Sequence, residues 1–273
     1  MSGWERTRPR VQHRLWCKRQ ADACVPGKKV METTGAMIVI AVFIVAALYS
    51  SVGHGGASGY LAVMALLAVL PEITRPTALI LNVFVASIAA FQFYRQGYFS
   101  WKVFLPFAVT SIPFAFIGGM ITLPATVYKA VLGVVLILAA LRLAWKFTAA
   151  IEPHTPNTLI ALLIGAVMGL LSGLVGVGGG IFLTPVLLLM NWSETKRAAG
   201  ISAMFILVNS ISGLLGNYEQ VAKLPPSVWF WIAAAVIGGI VGSTLGSKRF
   251  DSLTLRRVLA LVLIFAGVKL ILV

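Results

Sequence analysis

The sequence predicts an all-α protein that crosses a membrane many times, and three observations support this fold class. Of the 273 residues, 59% are hydrophobic and 11% are charged, whereas soluble domains have about 45–50% apolar and about 25% charged residues. Residues 33–71 and 155–193 contain no Asp, Glu, Lys or Arg. Apolar segments also recur in the same order in both halves. Open strands cannot satisfy their backbone in lipid, so each apolar segment is predicted to be a helix.

The second half of the chain repeats the first at a nearly constant offset. We therefore predict two homologous membrane repeats, at 35–146 and 157–273, joined by a linker at 147–156. A polar basic tail at 1–34 precedes them and is either a disordered arm or sequence upstream of a true start at Met31. Four blocks carry the alignment: residues 52–57 match 175–180, 75–79 match 197–201, 117–118 match 241–242, and 129–133 match 256–260.

Each repeat contains five apolar segments, and the second of the five is short. A helix over 180–191 would cover roughly 18 Å, below the hydrocarbon thickness of about 30 Å. In chain order, the segments lie near 35–52, 57–71, 76–94, 103–123 and 127–145 in the first repeat, and near 157–175, 180–191, 198–216, 226–246 and 254–273 in the second.

Basic residues favour ten crossings with an outside N-terminus, which makes the two five-segment repeats inverted. The alternative, eight crossings with re-entrant short segments, separates the charges less well, and the basic tail argues for an inside N-terminus. With ten crossings, Arg95, Lys102, Arg142, Lys146, Lys196, Arg197, Lys248, Arg249, Arg256 and Arg257 face the cytoplasm, while Arg75, Lys129, Lys223 and Lys269 face outward.

Composition and missing motifs exclude several classes of function. The net charge is +14, but much of it lies in the tail or beside apolar spans, so we expect no nucleic-acid partner. Cys17 and Cys24 lie in the tail at a spacing that fits no zinc pattern, so we predict no metal site. We predict no cofactor and no catalytic residue, since neither a phosphate-binding loop nor a hydrolytic triad is present. The predicted spans contain no carboxylate, which argues against a proton pump built on Asp or Glu.

Glycine clusters interrupt the first long segment of each repeat, and we predict that these two breaks bind substrate. Where a helix stops inside the membrane, its free N–H groups and partial positive charge suit an anion, and glycine lets the backbone approach it. Gly165, Gly169 and Gly173, and likewise Gly238, Gly242 and Gly246, are interpreted instead as helix-contact stripes. The predicted substrate-binding glycines are Gly53, Gly55 and Gly56 in the first break and Gly176, Gly178, Gly179 and Gly180 in the second.

Polar residues near the breaks have two possible roles each. His54, within the first break, either binds an anion or carries a coupling proton, or it only caps a helix. Polar residues on the third segments either line a polar path or hold helices together, namely Asn82, Ser87, Ser202, Asn209 and Ser210.

Arg75 and Arg197 begin the third segments, with Glu72 and Glu194 three residues before them. They either form local ion pairs at the membrane interface or attract anions to a vestibule.

The sequence around both breaks resembles the sulfite exporter TauE/SafE family. The resemblance rests on Val-Gly-His-Gly-Gly-Ala at 52–57, on Val-Gly-Val-Gly-Gly-Gly-Ile at 175–181, and on the arginine segments that follow each. It covers residues 35–273 and is closer in the second repeat, since Pro76 and Asn82 depart from the usual small residues. The resemblance implies transport of sulfite or organosulfonates, commonly outward, in the inner cell membrane of bacteria.

The leading hypothesis is a secondary carrier of a small anion that works by alternating access. An anion channel with the same site is one alternative, and a lipid-processing membrane enzyme is another, although the sequence offers no catalytic cluster for it. Membrane lipid is an expected partner; proton coupling and homo-oligomerisation are open possibilities.

Overall fold

The computed structural model describes residues 26–51, 56–144, 153–249 and 252–272. The chain divides into two units, Met1–Met37 and Ile38–Val273. Of the first unit, the structure describes only the beginning of one helix, so the contacts below all lie within the second. The linker residues 153–157 are not helical, and the rest of the predicted linker lies outside the described residues.

Every regular element in the described part of the chain is an α-helix, which confirms the predicted all-α multi-pass membrane protein. Among the described residues, four helices are long and apolar enough to cross a membrane, judged by length and composition: α3, α4, α6 and α8. The two predicted repeats and their inversion stay predictions. In chain order, the helices are α1 Pro26–Ser51, α2 Ala57–Leu66, α3 Pro71–Arg95, α4 Trp101–Met120, α5 Ala125–Ala144, α6 Thr158–Val175, α7 Gly180–Leu189, α8 Thr195–Gly216, α9 Tyr218–Val221, α10 Val228–Arg249 and α11 Ser252–Leu272.

Two helices begin earlier than the sequence pattern predicts, and proline explains both. Helix α3 begins at Pro71, where the missing N–H costs no bond, and not near Pro76. Pro76 lies inside the helix, and because proline has no N–H, it cannot donate a backbone hydrogen bond to the Glu72 carbonyl. Helix α1 begins at Pro26, so residues 26–34 of the predicted tail are helical.

Close glycine contacts hold the helices together. Gly165, Gly169 and Gly173 of α6 lie against the backbone carbonyls of Phe107, Ser111 and Ala115 of α4. Lipid provides no hydrophobic force between helices, so close backbone contacts of this kind supply the packing energy. The predicted contact stripe on α6 is therefore confirmed.

The stripe on α10 behaves in the same way. Gly238 and Gly242 lie against the carbonyls of Phe43 and Ala47 of α1. The side chain at 246 lies outside the described part of the chain. In both pairs the contacts advance four residues at a time in the same direction, so α4 runs parallel to α6 and α1 runs parallel to α10.

Helices α6 and α7 form a hairpin that returns to the end from which it starts. The His154 amide, just before α6, donates to the Asn191 carbonyl, just after α7, at 2.9 Å. At the same end, Lys196 at the start of α8 lies 5.1 Å from the ring of Tyr98, which follows α3.

The opposite end of the helix array carries other basic residues. Lys129 and Lys269 line one pocket with residues 68–71, where α2 ends and α3 begins. The structure thus places these two lysines at the end of the helix array opposite Lys196. Because α2 and α7 have 10 residues each, about 15 Å, the number of full crossings stays a prediction.

Substitution of Gly169 by leucine is expected to destabilise the α4–α6 pair. A Cβ at Gly169 would overlap the Ser111 backbone, and overpacking of this kind costs about 1–3 kcal/mol. The Gly169→Leu variant should unfold at lower temperature in detergent than the wild-type protein. Val167→Leu, which changes an exposed position of the same helix, should unfold like the wild type. Equal stability of the two variants would contradict the assigned glycine contact.

Candidate functional site

The second glycine break is a true interruption of helical structure. Helix α6 ends at Val175, and Gly176 caps it with φ +88° while its amide donates to the Ser172 carbonyl at 2.9 Å. Gly178 and Gly179 have φ +78° and +74°. Other residues adopt these left-handed angles at a cost, so the local sequence is glycine-rich because the turn requires it.

The beginning of α7 leaves backbone donors directed into this break. Gly179 is the N-cap of α7 and has no side chain with which to bind them. The first amides that bond back within the turn belong to Phe182 and Leu183, both to the Gly179 carbonyl. The preceding amides, of Gly180 and Ile181, have no backbone acceptor among the described residues, as is usual at a helix start, and they carry its partial positive charge.

Two polar side chains from different halves of the chain face the break. A methyl group at Gly178 would lie 3.1 Å from Asn82 Nδ2 on α3 and 3.2 Å from Ser210 Oγ on α8. Asn82 Nδ2 also donates to the Gly176 carbonyl at 3.4 Å. Both side chains are fully buried, yet Asn82 Oδ1 and Ser210 Oγ have no hydrogen-bond partner among the described residues. Buried polar atoms of this kind normally bind water or a ligand.

The other predicted polar residues of α8 lie nearby with different partners. Asn209 is buried and donates to the Phe205 carbonyl of its own helix at 2.9 Å, while its Oδ1 is unpaired within the described chain. Ser202 accepts from Thr184 Oγ1 at 2.8 Å, which ties α8 to the first turns of α7. Ser202 therefore positions α7, whereas the geometry leaves Asn209 with a free acceptor.

Residues of the first half of the chain also contact the second break, from α5 and α3. Tyr128 on α5 donates to the carbonyl of Val175, the last residue of α6, at 3.2 Å. The Arg75 carbonyl would lie 3.0 Å from a Cβ at Gly176, so the α3 backbone packs directly against the turn. The second break is thus enclosed by α3, α5 and α8.

Arg75 is buried, with 3% of its surface exposed. Its guanidinium donates to the carbonyls of Ile121 at 2.7 Å and Gly118 at 2.6 Å, and to that of Gly119. These are the last carbonyls of α4, which carry partial negative charge. Arg75 therefore caps α4 instead of pairing with Glu72, which is exposed.

Arg197, the corresponding residue of α8, is half-buried, and its Nε has no partner among the described residues. A vestibule role for either arginine stays a prediction.

Gly53, His54 and Gly55 of the first break lie outside the described residues. Gly56 is the N-cap of α2 with φ +72°, the same conformation as Gly179 before α7. A Cβ at Gly56 would lie 2.8 Å from Tyr60 Oη. The Tyr60 side chain is fully buried, and its hydroxyl lacks a partner in the described part of the chain. Whether the two breaks meet stays a prediction.

Sequence reasoning missed several polar residues that the structure places around the breaks. Tyr60 Oη has no hydrogen-bond partner among the described residues, and Tyr49 Oη lies 3.0 Å from Ser58 Oγ beside α2. Tyr128 was treated as part of an apolar segment. Tyrosine within a charge-free stretch is a usable signal, because a buried phenol normally seeks a hydrogen-bond partner.

The model of the family described as "Sulfite exporter TauE/SafE" matches residues 38–270. This range contains both breaks and every helix from α2 to α10. No solved structure matches the chain.

Relatives of the chain occur in bacteria and archaea and are named as membrane transporters. The "probable membrane transporter protein y4hK" of Sinorhizobium fredii is 39% identical over 246 residues, covering 88% of this chain and 100% of the relative. The similarly named YunE of Bacillus subtilis is 24% identical over 231 residues, covering 74% of this chain and 82% of the relative. A further one from Methanocaldococcus jannaschii is 28% identical over 191 residues, covering 66% and 70%.

Replacement of Arg75 is expected to destabilise the fold. Arg75→Met leaves buried carbonyls at the end of α4 without donors, and each unsatisfied group costs about 1–3 kcal/mol. Thermal unfolding of the purified variant in detergent should begin well below that of the wild type. Arg95→Met, at the exposed far end of the same helix, should have little effect. A stable Arg75→Met variant would show that α4 does not need this cap.

Proposed function

The chain belongs to the sulfite exporter TauE/SafE family, and from that premise we propose that it is a secondary carrier of a small anion. The proposed substrate is a sulfur oxyanion or an organosulfonate, carried outward across the inner cell membrane. Transport would proceed by alternating access, with the two halves rocking about the glycine breaks. The family and the transporter names of the relatives support the general function, and the second break supports the anionic substrate.

The observation that carries the proposal is the set of unpaired donors at Gly178. The amides at the start of α7, the Ser210 hydroxyl and the second hydrogen of Asn82 Nδ2 can all donate to one ligand in the break. An oxyanion presents several acceptor atoms and no obligatory donor, so it matches this set.

Charge around the break also favours an anion. Arg75 packs its carbonyl and Cγ against Gly176, while its buried guanidinium binds the carbonyls at the end of α4. All three glutamates whose side chains the structure describes, Glu72, Glu194 and Glu219, are exposed. Among these described acids, therefore, no buried carboxylate would repel an anion in the break.

Thermal stabilisation of the purified protein is the first test of substrate class. Sulfite, sulfate, thiosulfate and small sulfonates would each be added, because a ligand that binds the folded state raises the unfolding temperature. Saturable flux with counter-exchange in liposomes identifies a carrier, whereas flux that never saturates and shows no exchange identifies a channel.

Removal of the Ser210 hydroxyl is expected to weaken transport without disturbing the fold. Ser210→Ala deletes an unpaired donor beside Gly178, and the loss of one hydrogen bond to an anion corresponds to roughly a tenfold change in affinity. The half-saturation concentration for the best anion in liposome uptake should rise accordingly. Gly178 variants are less informative, since any side chain there is strained at φ +78°.

Ser212→Ala is the matched control for this variant. Ser212 lies on the same helix, but its hydroxyl already donates to the Ile112 carbonyl of α4 at 2.6 Å. Ser212→Ala should keep the wild-type half-saturation concentration, even if it unfolds somewhat earlier. Unchanged uptake by Ser210→Ala would remove this hydroxyl from the site and count against the break as an anion site.

We also propose proton coupling through His54, the histidine of the first break. Imidazole changes charge between pH 5 and 8, so flux through the wild-type protein should vary across this range. His54→Ala should flatten that profile, measured as liposome uptake from pH 5 to pH 8. His154→Ala, in the exposed linker, is the control. The same pH profile in both variants would exclude His54 as the coupling group.

A further inference from the structure

A pocket outside the glycine breaks contains two lysines. It has a volume of about 160 Å³ and lies where the end of α2, the beginning of α3, α5 and α11 meet. Lys129 comes from α5 and Lys269 from α11. No acid lines the pocket, and Glu72, on the first turn of α3, is exposed. Two lysines in the lining of one small space, with no carboxylate in that lining, favour an anion.

The lysines retain donors for a ligand. Lys269 Nζ donates one hydrogen to the carbonyl of Leu66, the last residue of α2, at 2.8 Å. An ammonium group has three donors, so two remain. Lys129 is half-buried, and its ammonium has no acceptor among the described residues.

The rest of the lining indicates what kind of anion fits. Two hydroxyls at the pocket are already engaged, because Thr74 donates to the Val69 carbonyl and Tyr128 to the Val175 carbonyl. The other walls are aliphatic, with Leu70, Leu132 and Leu270 among them. A ligand must therefore place its charge at the lysines and an apolar portion against the leucines. The volume is below the roughly 300 Å³ of sites for drug-sized ligands, so the apolar portion is a few carbons long.

The pocket and the second glycine break share a wall. Tyr128 lines the pocket, and its hydroxyl binds the residue just before Gly176. Thr74 also lines the pocket, and the next residue, Arg75, packs its carbonyl against Gly176. One layer of side chain and backbone thus separates the two spaces.

We propose that Lys129 and Lys269 form a second anion site, for a small organic anion with a short aliphatic portion, on the path between the break and the end of the helix array that carries these lysines. Its place on a transport path rests on the function proposed above, whereas its binding chemistry rests on the pocket alone. This end of the array is the one that the basic residues predict to be outside. The site would therefore hold the anion between the break and the external solution.

Binding of 1-butanesulfonate to the detergent-purified protein tests this site directly. Isothermal titration should give a dissociation constant that rises about tenfold in Lys129→Gln, the size of one lost charge-assisted hydrogen bond. Sulfate, which has no apolar portion to place against the leucines, should bind less tightly than 1-butanesulfonate. Lys223→Gln, which removes an exposed lysine outside the pocket, should bind like the wild type. Lys269→Gln should also weaken binding, but it additionally removes the bond to Leu66, so Lys129→Gln is the decisive variant.

Anionic lipid offers the same chemistry, and a second arm separates it from a soluble anion. Wild type and Lys129→Gln would be placed in phosphatidylcholine nanodiscs with and without phosphatidylglycerol, and thermal unfolding would be measured. If Lys129→Gln weakens 1-butanesulfonate binding, the site takes a soluble anion as proposed. If it abolishes only the stabilisation by phosphatidylglycerol, the ligand is a lipid headgroup and the soluble-anion proposal is overturned. If it changes neither, the pocket is no anion site.

Failure of this proposal can be told from failure of the transport site. Weakened 1-butanesulfonate binding in Ser210→Ala but not in Lys129→Gln would leave the break as the binding site and overturn the pocket. Weakened binding in Lys129→Gln but not in Ser210→Ala would support the pocket and count against the break.

Discussion

The interruption of helical hydrogen bonding between Val175 and Gly180 is the constraint on which the rest of the structure depends. Backbone groups at membrane depth must find partners inside the protein, since lipid offers none. Asn82 and Tyr128, both from the first half of the chain, supply donors to the carbonyls at this turn. The second half of the chain therefore does not by itself satisfy the backbone carbonyls at its own glycine break. This dependence, and not apolar burial alone, explains why α3 and α5 lie where they do.

A second set of contacts makes that arrangement rigid. Glycines bring α6 against α4 and α10 against α1 at backbone distance, while Gly133 and Gly267 lie against each other's carbonyls between α5 and α11. Such contacts tolerate no added Cβ, so they fix helix register to within one residue. Fixed register is what places Asn82 and Ser210 opposite Gly178. Glycine thus has two roles in this protein: it allows the close contacts between helices, and it forms the turn at the candidate site.

The sequence was sufficient for the helical class, the short second helices and the glycine turn at 176–179, because charge-free length and glycine clusters are local signals. It was misleading about the start of α3, where Pro76 looked like a first-turn residue and Pro71 holds that place. It also offered local ion pairing for Arg75, whereas the guanidinium caps α4. Its partners are carbonyls 43 to 46 residues away, and backbone acceptors leave no trace in side-chain patterns. Ser210 could not be singled out from the other polar residues of its segment for a related reason, since only the register of α8 against α7 distinguishes it from neighbouring serines.

The long sequence separation of these pairs has a consequence for biosynthesis. When α3 leaves the ribosome, the carbonyls that bind Arg75 have not yet been made, and an unpartnered arginine in a transmembrane helix is costly. Helices α3 and α4 are therefore best inserted together, as a unit. The acceptor of Asn82 is synthesised later still, because it lies 94 residues further along the chain. Maturation of the first half is thus complete only after translation has passed the middle of the second charge-free stretch.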